Sequence, residues 1–142
     1  MAYAEQYIDK LRKSGLRPTK QRIKICEVLF DTDKTFHFTI KELVKIIENQ
    51  ANIKVSLATV YNTVHAFKKK GYLKEISINS DKSYFDTNTS NHHHFFDEDT
   101  NELIDCDDGI IETPKIKKNI SGKRINSVEV LVKVATDNQN QK

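Results

Sequence analysis

The sequence has few cysteines: Cys26 and Cys106 stand alone, and no CxxC pair of the kind that holds structural zinc is present. This scarcity excludes a small disulfide-stabilised secreted domain and indicates a reduced, cytoplasmic protein. No apolar run approaches the roughly 20 residues of a membrane span, so we expect no association with a membrane. The 142 residues suffice for one domain or for two small ones.

Lysine and arginine are missing from residues 84–114, where the chain has nine acidic residues. The net charge of +3 conceals this asymmetry, because residues 1–83 carry sixteen basic and nine acidic side chains, whereas residues 84–142 carry seven and eleven. A basic half attracts a polyanion, and an acidic half that contains histidines attracts cations. Two differently solvated surfaces would show the same distribution, so the motifs must decide between these interpretations.

The basic half has the hydrophobic periodicity of four helices. The first ends at Gly15, the second begins after Pro18 with Thr19 as a candidate N-cap, the third follows Thr39, and the fourth starts at Ser56. Thr39 also stands three residues before Glu42, which is the spacing of a capping box. In the fourth helix, which ends at Gly71, we expect four side chains to face the core: Leu57, Val60, Val64 and Phe67.

After the fourth helix, "YLKEISI", "NSD" and "KSYFD" are typical of a two-stranded ribbon. Helices followed by such a hairpin predict a winged helix-turn-helix, whose last helix enters the major groove of DNA. The outward face of that helix begins with small, neutral side chains, which permit a close approach to base edges. We expect Ser56, Ala58, Thr59, Tyr61 and Asn62 to contact DNA from this face, and Arg17, Lys20 and Arg22 to supply backbone or minor-groove contacts. The alternative is a helical packing unit with a solvated basic face.

Three of the five histidines form a run within "YFDTNTSNHHHFFD". If the run is extended, alternate side chains share a face, so His92 and His94 point together while His93 points the other way. Two imidazoles need further partners before they form a site. Asp86 precedes the run, and Asp105 ends "ELID", a short strand that could pair with the histidine strand as a hairpin. A solvated polar turn is the alternative interpretation.

The segments "GLRPTKQR", "HFTIKEL" and "SLATVYNTVHAF", followed by an acid shortly before a histidine cluster, resemble the ferric uptake regulator family of metal-dependent bacterial repressors. The resemblance covers Leu16 to Val134 and is closest to the iron response regulator branch, the haem-responsive members found in alphaproteobacteria. It implies an α+β fold with a winged helix-turn-helix domain over residues 1–86 and a small α/β dimerisation domain over residues 87–142.

The resemblance also implies the ligands of a regulatory ion between the two domains, namely His37, Asp86, His92, His94 and Asp105. Nitrogen and carboxylate donors without a thiolate suit Fe(II), Mn(II) or Zn(II). In the haem-responsive branch the run of His92, His93 and His94 is associated with haem, and His93 would be free to act as an axial ligand. Haem is therefore a second cofactor that the resemblance suggests.

The chain departs from the family pattern at its structural zinc site. Asp97 and Thr100 occupy the positions of the usual CxxC, and a second CxxC near the C-terminus is missing. We therefore expect core packing and dimer burial to hold the C-terminal domain together. A further site of some members would need a histidine at Val128, so it loses a ligand here.

The resulting hypothesis is a metal- or haem-responsive repressor of iron homeostasis genes that binds palindromic A/T-rich operators as a homodimer. The alternating valines of "INSVEVLVKVAT" predict a half-buried strand in the dimerising part. Two alternatives remain, a DNA-binding protein with a purely structural metal and a small metalloenzyme. The enzyme is disfavoured because no residue beyond the ligands presents itself as a general base, so we expect no catalytic activity.

Overall fold

A computed structural model describes residues 2–138, with side chains from Glu5 onward. The chain divides into two compact units, with the boundary between Thr89 and Ser90, three residues beyond the division expected from the sequence. The N-terminal unit contains α1 (Ala2–Lys13), α2 (Lys20–Phe30), β1 (His37–Phe38), α3 (Ile40–Ala51), α4 (Leu57–Lys70), β2 (Lys74–Asn79) and β3 (Lys82–Asp86). The C-terminal unit contains β4 (His94–Asp97), β5 (Glu102–Asp105) and β6 (Leu131–Val134).

The predicted caps Thr19 and Thr39 are confirmed at the starts of α2 and α3, and the structure adds Ser56 as the cap of α4, which begins one residue later than expected. In α3 the Thr39 hydroxyl oxygen accepts a hydrogen bond from the Glu42 amide at 3.2 Å and donates to the Glu42 carboxylate at 3.1 Å. The glutamate thus closes on the cap side chain rather than on the cap amide. At the other end of α4, Gly71 has a φ of 82°, a left-handed conformation that glycine adopts without strain.

The core of the N-terminal unit joins all four helices to the sheet. Its completely buried side chains include Leu11, Ile25, Leu43, Ile47, Val60, Val64, Phe67 and Phe38. Against the expectation, Leu57 is 52% exposed. It is the first residue of α4, so the periodicity overstated its burial at the end of the helix. No helix in the part of the chain that the structure describes is long and apolar enough to span a lipid bilayer.

The N-terminal sheet has the strand order β1–β3–β2. The ribbon of β2 and β3 was predicted, whereas the two-residue strand β1 was not. β1 pairs antiparallel with β3, so that His37 lies opposite Asp86 and Phe38 lies opposite Phe85. Four helices and this small sheet, whose β2–β3 ribbon follows α4, confirm the winged-helix architecture.

The C-terminal unit is a three-stranded sheet of order β5–β4–β6. β4 pairs antiparallel with β5, which confirms the predicted hairpin, and parallel with β6. The α+β class is confirmed for the chain as a whole. In this unit, however, residues 90–138 form no α-helix, and the stretch between β5 and β6 is irregular and mostly exposed.

Candidate metal centre and nucleic-acid interface

Three donor side chains of the C-terminal unit converge at the paired ends of β4 and β5. His94 opens β4 opposite Asp105, the last residue of β5, and its Nε2 lies 3.1 Å from Asp105 Oδ1. The same carboxylate oxygen lies 3.5 Å from Nε2 of His92. The two imidazole centroids are 4.3 Å apart, although only His94 belongs to the strand. The hairpin pairing therefore assembles the cluster.

The tautomer of His92 is set by a backbone carbonyl. Its Nδ1 lies 2.8 Å from the oxygen of Ser90, and because a carbonyl can only accept, Nδ1 carries the proton. In the neutral imidazole, Nε2 then holds the lone pair and faces the cluster. This arrangement, in which the second ring nitrogen donates to an oxygen, is the one that orients histidine ligands in metal sites.

The geometry of the three donors fits a divalent cation. Ligands at about 2.1 Å from one ion lie roughly 3.0–3.4 Å from each other, close to the 3.1 and 3.5 Å separations measured here. One ligand atom of each of His92, His94 and Asp105 lies within 4.8 Å of the others. His94 is buried, so a bound ion would be partly shielded from water.

The remaining two predicted ligands face each other in the N-terminal unit. His37 and Asp86 are directly opposed across β1 and β3, which places both side chains on one face of the sheet. Asp86 is only 1% exposed, and its Oδ1 accepts a hydrogen bond from the Asn88 amide at 2.8 Å. A buried carboxylate requires compensating partners, and Lys74, opposite Asp86 in the sheet, is one of them. His37 and Asp86 together also offer donor atoms that suit a cation.

His93 has a structural role in the C-terminal unit. Its Nδ1 accepts a hydrogen bond from the Val130 amide at 2.9 Å, so Nε2 carries the proton and donates to the Thr113 hydroxyl at 3.0 Å. The histidine thus extends the pairing of β4 and β6 by one side-chain bond. A haem iron at either ring nitrogen would have to displace one of these bonds, and no feature of the described site favours haem.

The turn between β4 and β5 stands where the family pattern has its first CxxC. Asp97 Oδ1 accepts hydrogen bonds from the amides of Asp99 and Thr100 at 2.9 and 3.2 Å. Asp99 in turn accepts from the Thr136 amide, just beyond β6, and the Glu98 amide donates to the Val134 carbonyl at 2.8 Å. Carboxylates and backbone groups therefore close the turn and attach it to the end of β6.

The Asp99 attachment gives a prediction about stability. Hydrogen bonds from Thr136 hold the pKa of Asp99 below its usual range. Because the folded-state pKa is depressed, the carboxylate stabilises the fold above its unfolded pKa of about 3.9, and this contribution is lost as the pH falls through the lower folded-state value. We expect Asp99→Asn to lower the thermal unfolding midpoint at pH 7 and to matter less near pH 3. The exposed Asp108 gives a matched control, Asp108→Asn, and equal midpoints for both variants at pH 7 would contradict the attachment.

The predicted base-reading face is exposed on α4. Ser56 caps the helix, and Ala58, Tyr61 and Asn62 are exposed, with Thr59 half-buried. Tyr61 is 51% exposed, a large fraction for an aromatic side chain beside a packed core. The basic C-terminal turn of the helix adds Lys68, Lys69 and Lys70. The face is therefore accessible to a ligand along its length.

The predicted backbone contacts lie around the start of α2. Arg17 and Lys20 are exposed, whereas Arg22 is half-buried and donates from Nη1 to the Arg17 carbonyl at 2.8 Å. Arg22 therefore braces the loop that presents Arg17, in addition to any contact it makes with DNA. Neither the bond from the Val130 amide to His93 nor this brace had a sequence signal, because Val130 and Arg17 lie outside the helices and strands.

Comparison with known proteins identifies related sequences. The ferric uptake regulator family profile matches residues 13–134. The peroxide-responsive repressor PerR of Staphylococcus epidermidis is 35% identical over 101 residues, which cover 71% of this chain and 65% of that protein. The chain thus spans just under two thirds of that relative's length. The peroxide operon regulator of Bacillus subtilis is 29% identical over 122 residues, covering 85% of this chain and 82% of that protein.

Solved structures show the same fold. The ferric uptake regulator of Pseudomonas aeruginosa with manganese has a TM-score of 0.66 at 25% identity, and the match covers 92% of this chain and 97% of that one. The ferric uptake regulator of Vibrio cholerae has a TM-score of 0.67 at 22% identity, covering 91% and 98%. These matches do not select the iron response regulator branch over others.

Proposed function

The chain belongs to the ferric uptake regulator family, and from this membership we propose that it is a metal-responsive transcription regulator that binds double-stranded DNA as a homodimer. The family consists of regulators rather than enzymes, which agrees with the absence of a candidate general base in the sequence. The observation that carries the proposal is the convergence of His92, His94 and Asp105 on one point at donor-to-donor distances that suit an ion.

We propose that one ion is held by both units. The C-terminal unit would supply His92, His94 and Asp105, and the N-terminal unit would supply His37 and Asp86. Three imidazoles and two carboxylates form a donor set that suits Fe(II), Mn(II) or Zn(II) and disfavours copper(I). Only five residues separate Asp86 from His92 in the sequence, a length of chain that spans roughly 20 Å at most.

The regulatory step follows from the division of the ligands between two units. A site with donors from both is complete in one relative orientation of the units, so binding of the ion favours that orientation by its differential affinity. In a twofold dimer the orientation sets the spacing of the two α4 helices, and hence their fit to the half-sites of a palindromic operator. In this scheme the chain's own residues bind the ion, and the α4 helices contact the bases. The ion would link the two units.

The names of the related proteins suggest two different stimuli for the regulator. The relatives from Staphylococcus and Bacillus are named for a response to peroxide, whereas the structural neighbours are named for ferric uptake. The donor set of this chain suits iron in either role. Control of iron homeostasis genes, which the sequence suggested, is one outcome, and a peroxide response of an iron-loaded site is the other.

One experiment tests the proposed function. Operator binding would be measured with an A/T-rich palindromic duplex and a scrambled duplex, for metal-free protein and for protein loaded with Fe(II), Mn(II), Zn(II) or haem. We expect a divalent ion to change operator affinity by about 5- to 150-fold, and brief peroxide treatment of the Fe(II) form distinguishes the two stimuli. Metal binding without an effect on DNA affinity would support a purely structural metal. Failure to prefer the operator in any form would contradict a DNA-binding regulator.

The homodimer is a separate expected result. Val128, Val130, Val132 and Val134 are all half-buried in the monomer, although only residues 131–134 form a strand. Ile116 and Ile120 in the irregular stretch before β6 are 50% and 73% exposed, and burial of such side chains favours association. We expect the full chain to sediment as a dimer at micromolar concentration, and Ile120→Asp to weaken it. The exposed Lys115→Asp is the control for added charge, and a wild-type monomer would contradict the proposal.

A further inference from the structure

Tyr61 on the exposed face of α4 is in ring contact with His65, one helical turn further on. The two ring centroids are 4.1 Å apart, with an angle of 40° between the ring planes. Residues four apart lie on the same side of a helix, so their side chains can meet. Tyr61 therefore has a specific aromatic neighbour although half of its surface is open to solvent.

The ring of His65 is itself held by the core. It meets Phe85 of β3 edge to face at 5.3 Å, with an angle of 79°. Phe85 is 2% exposed and stacks on the fully buried Phe38 at 6.2 Å. The four rings form a continuous column from the buried sheet to the surface of α4. The buried ring of Phe85 cannot move without disturbing the core, so its contact restricts the motion of the His65 ring.

His65 is poorly placed to act on a ligand directly. Its side chain is half-buried, whereas Tyr61 and Asn62 are exposed. Its ring is already in contact with two other rings, those of Phe85 and Tyr61. Its contribution must therefore pass through the side chain that it touches.

We infer that His65 is a positioning residue that holds the Tyr61 ring in the orientation in which it meets DNA, an inference that rests on the proposed function. A tyrosine fixed before binding loses less rotamer freedom on forming its contact than a mobile one does. This smaller entropy loss stabilises the complex with the operator, because only in that complex must the Tyr61 ring contact one particular base edge. His65 thus affects the discrimination between sequences, and it has little effect on general attraction to phosphates.

The free protein gives the first test. The ring resonances of Tyr61 should be displaced by the ring current of His65, and His65→Ala should move them toward those of an isolated tyrosine. His65→Phe retains a ring at the same position and should retain the displacement. Alanine is a good helix former, so we expect the variant to fold. Identical Tyr61 resonances in the wild type and in His65→Ala would overturn the inference, whatever the effect on DNA binding.

DNA binding gives the second test, through a double-mutant cycle. The ratio of operator to scrambled-duplex affinity should fall about two- to tenfold in His65→Ala, the range expected for one aromatic pair, and should return in His65→Phe. In a Tyr61→Ala background the His65→Ala substitution should have no further effect. Additive losses would overturn the inference, because His65 would then contact DNA itself. A wild type that shows no discrimination would overturn the proposed function, and the resonances of Tyr61 would then decide on the ring contact alone.

Discussion

Replacement of His94 by alanine is expected to lower the affinity of the protein for Fe(II) or Mn(II) by more than about 100-fold. Loss of a residue that merely orients a ligand typically costs 10- to 100-fold, and His94 would be a ligand itself. Its Nε2 lies 3.1 Å from Asp105 Oδ1 in a buried position that water could replace only in part. Competition with a chromophoric chelator under anaerobic conditions measures the affinity. His92→Ala should have an effect in the same direction.

His93→Ala is the matched control, because it removes the neighbouring imidazole of the same run. We expect metal affinity to change by less than about threefold, since His93 bonds to Thr113 and Val130 instead of facing the cluster. Loss of the acceptor for the Val130 amide should cost about 1 kcal/mol of unfolding free energy. Equal losses of metal affinity in the three single variants would refute the division of roles, because a flexible chelating run would give that result.

The elements that could be predicted from the sequence are those whose stabilising contacts are local. Thr19, Thr39 and Ser56 each cap a helix through an amide three residues later, so the signal lies within a short window of sequence. The hairpin of β4 and β5 is likewise local. β1 was not predicted, because a two-residue strand has no periodicity and exists only through its pairing with the distant β3.

The candidate site was predictable to a similar degree. Strand alternation correctly separated His93 from His92 and His94, although only His94 lies in a strand, since the rings of the outer two meet at 4.3 Å. The partners of His93 were unpredictable because Thr113 and Val130 lie in an irregular stretch without a pattern. The family resemblance gave the positions of the missing CxxC. It could not show that Asp97 and Asp99 accept amide hydrogen bonds in this turn.

The second large effect is expected at the DNA interface, where substitutions on α4 should change sequence preference and a substitution at the start of α2 should change overall affinity. Tyr61→Ala removes an exposed aromatic ring from α4 and should reduce the preference for the operator over a scrambled duplex at least about tenfold, because a specific base contact is worth roughly 1–3 kcal/mol. Asn62→Ala should act in the same way. Affinity for the scrambled duplex should hardly change, since the positive charges around Arg17 and Lys20 remain.

Lys20→Ala is the complementary substitution. Lys20 is exposed at the start of α2, and its ammonium group has no shape by which to select a base. Its removal should weaken binding to both duplexes by the same factor. The slope of log affinity against log salt is negative. Its magnitude should decrease by about 0.9 for each phosphate that the protein no longer neutralises, or roughly 1.8 in a dimer. Titrations at several salt concentrations measure both quantities. If Tyr61→Ala changed the salt slope and left the preference intact, α4 would lie along the backbone, and the assignment of its outward face to the major groove would be wrong.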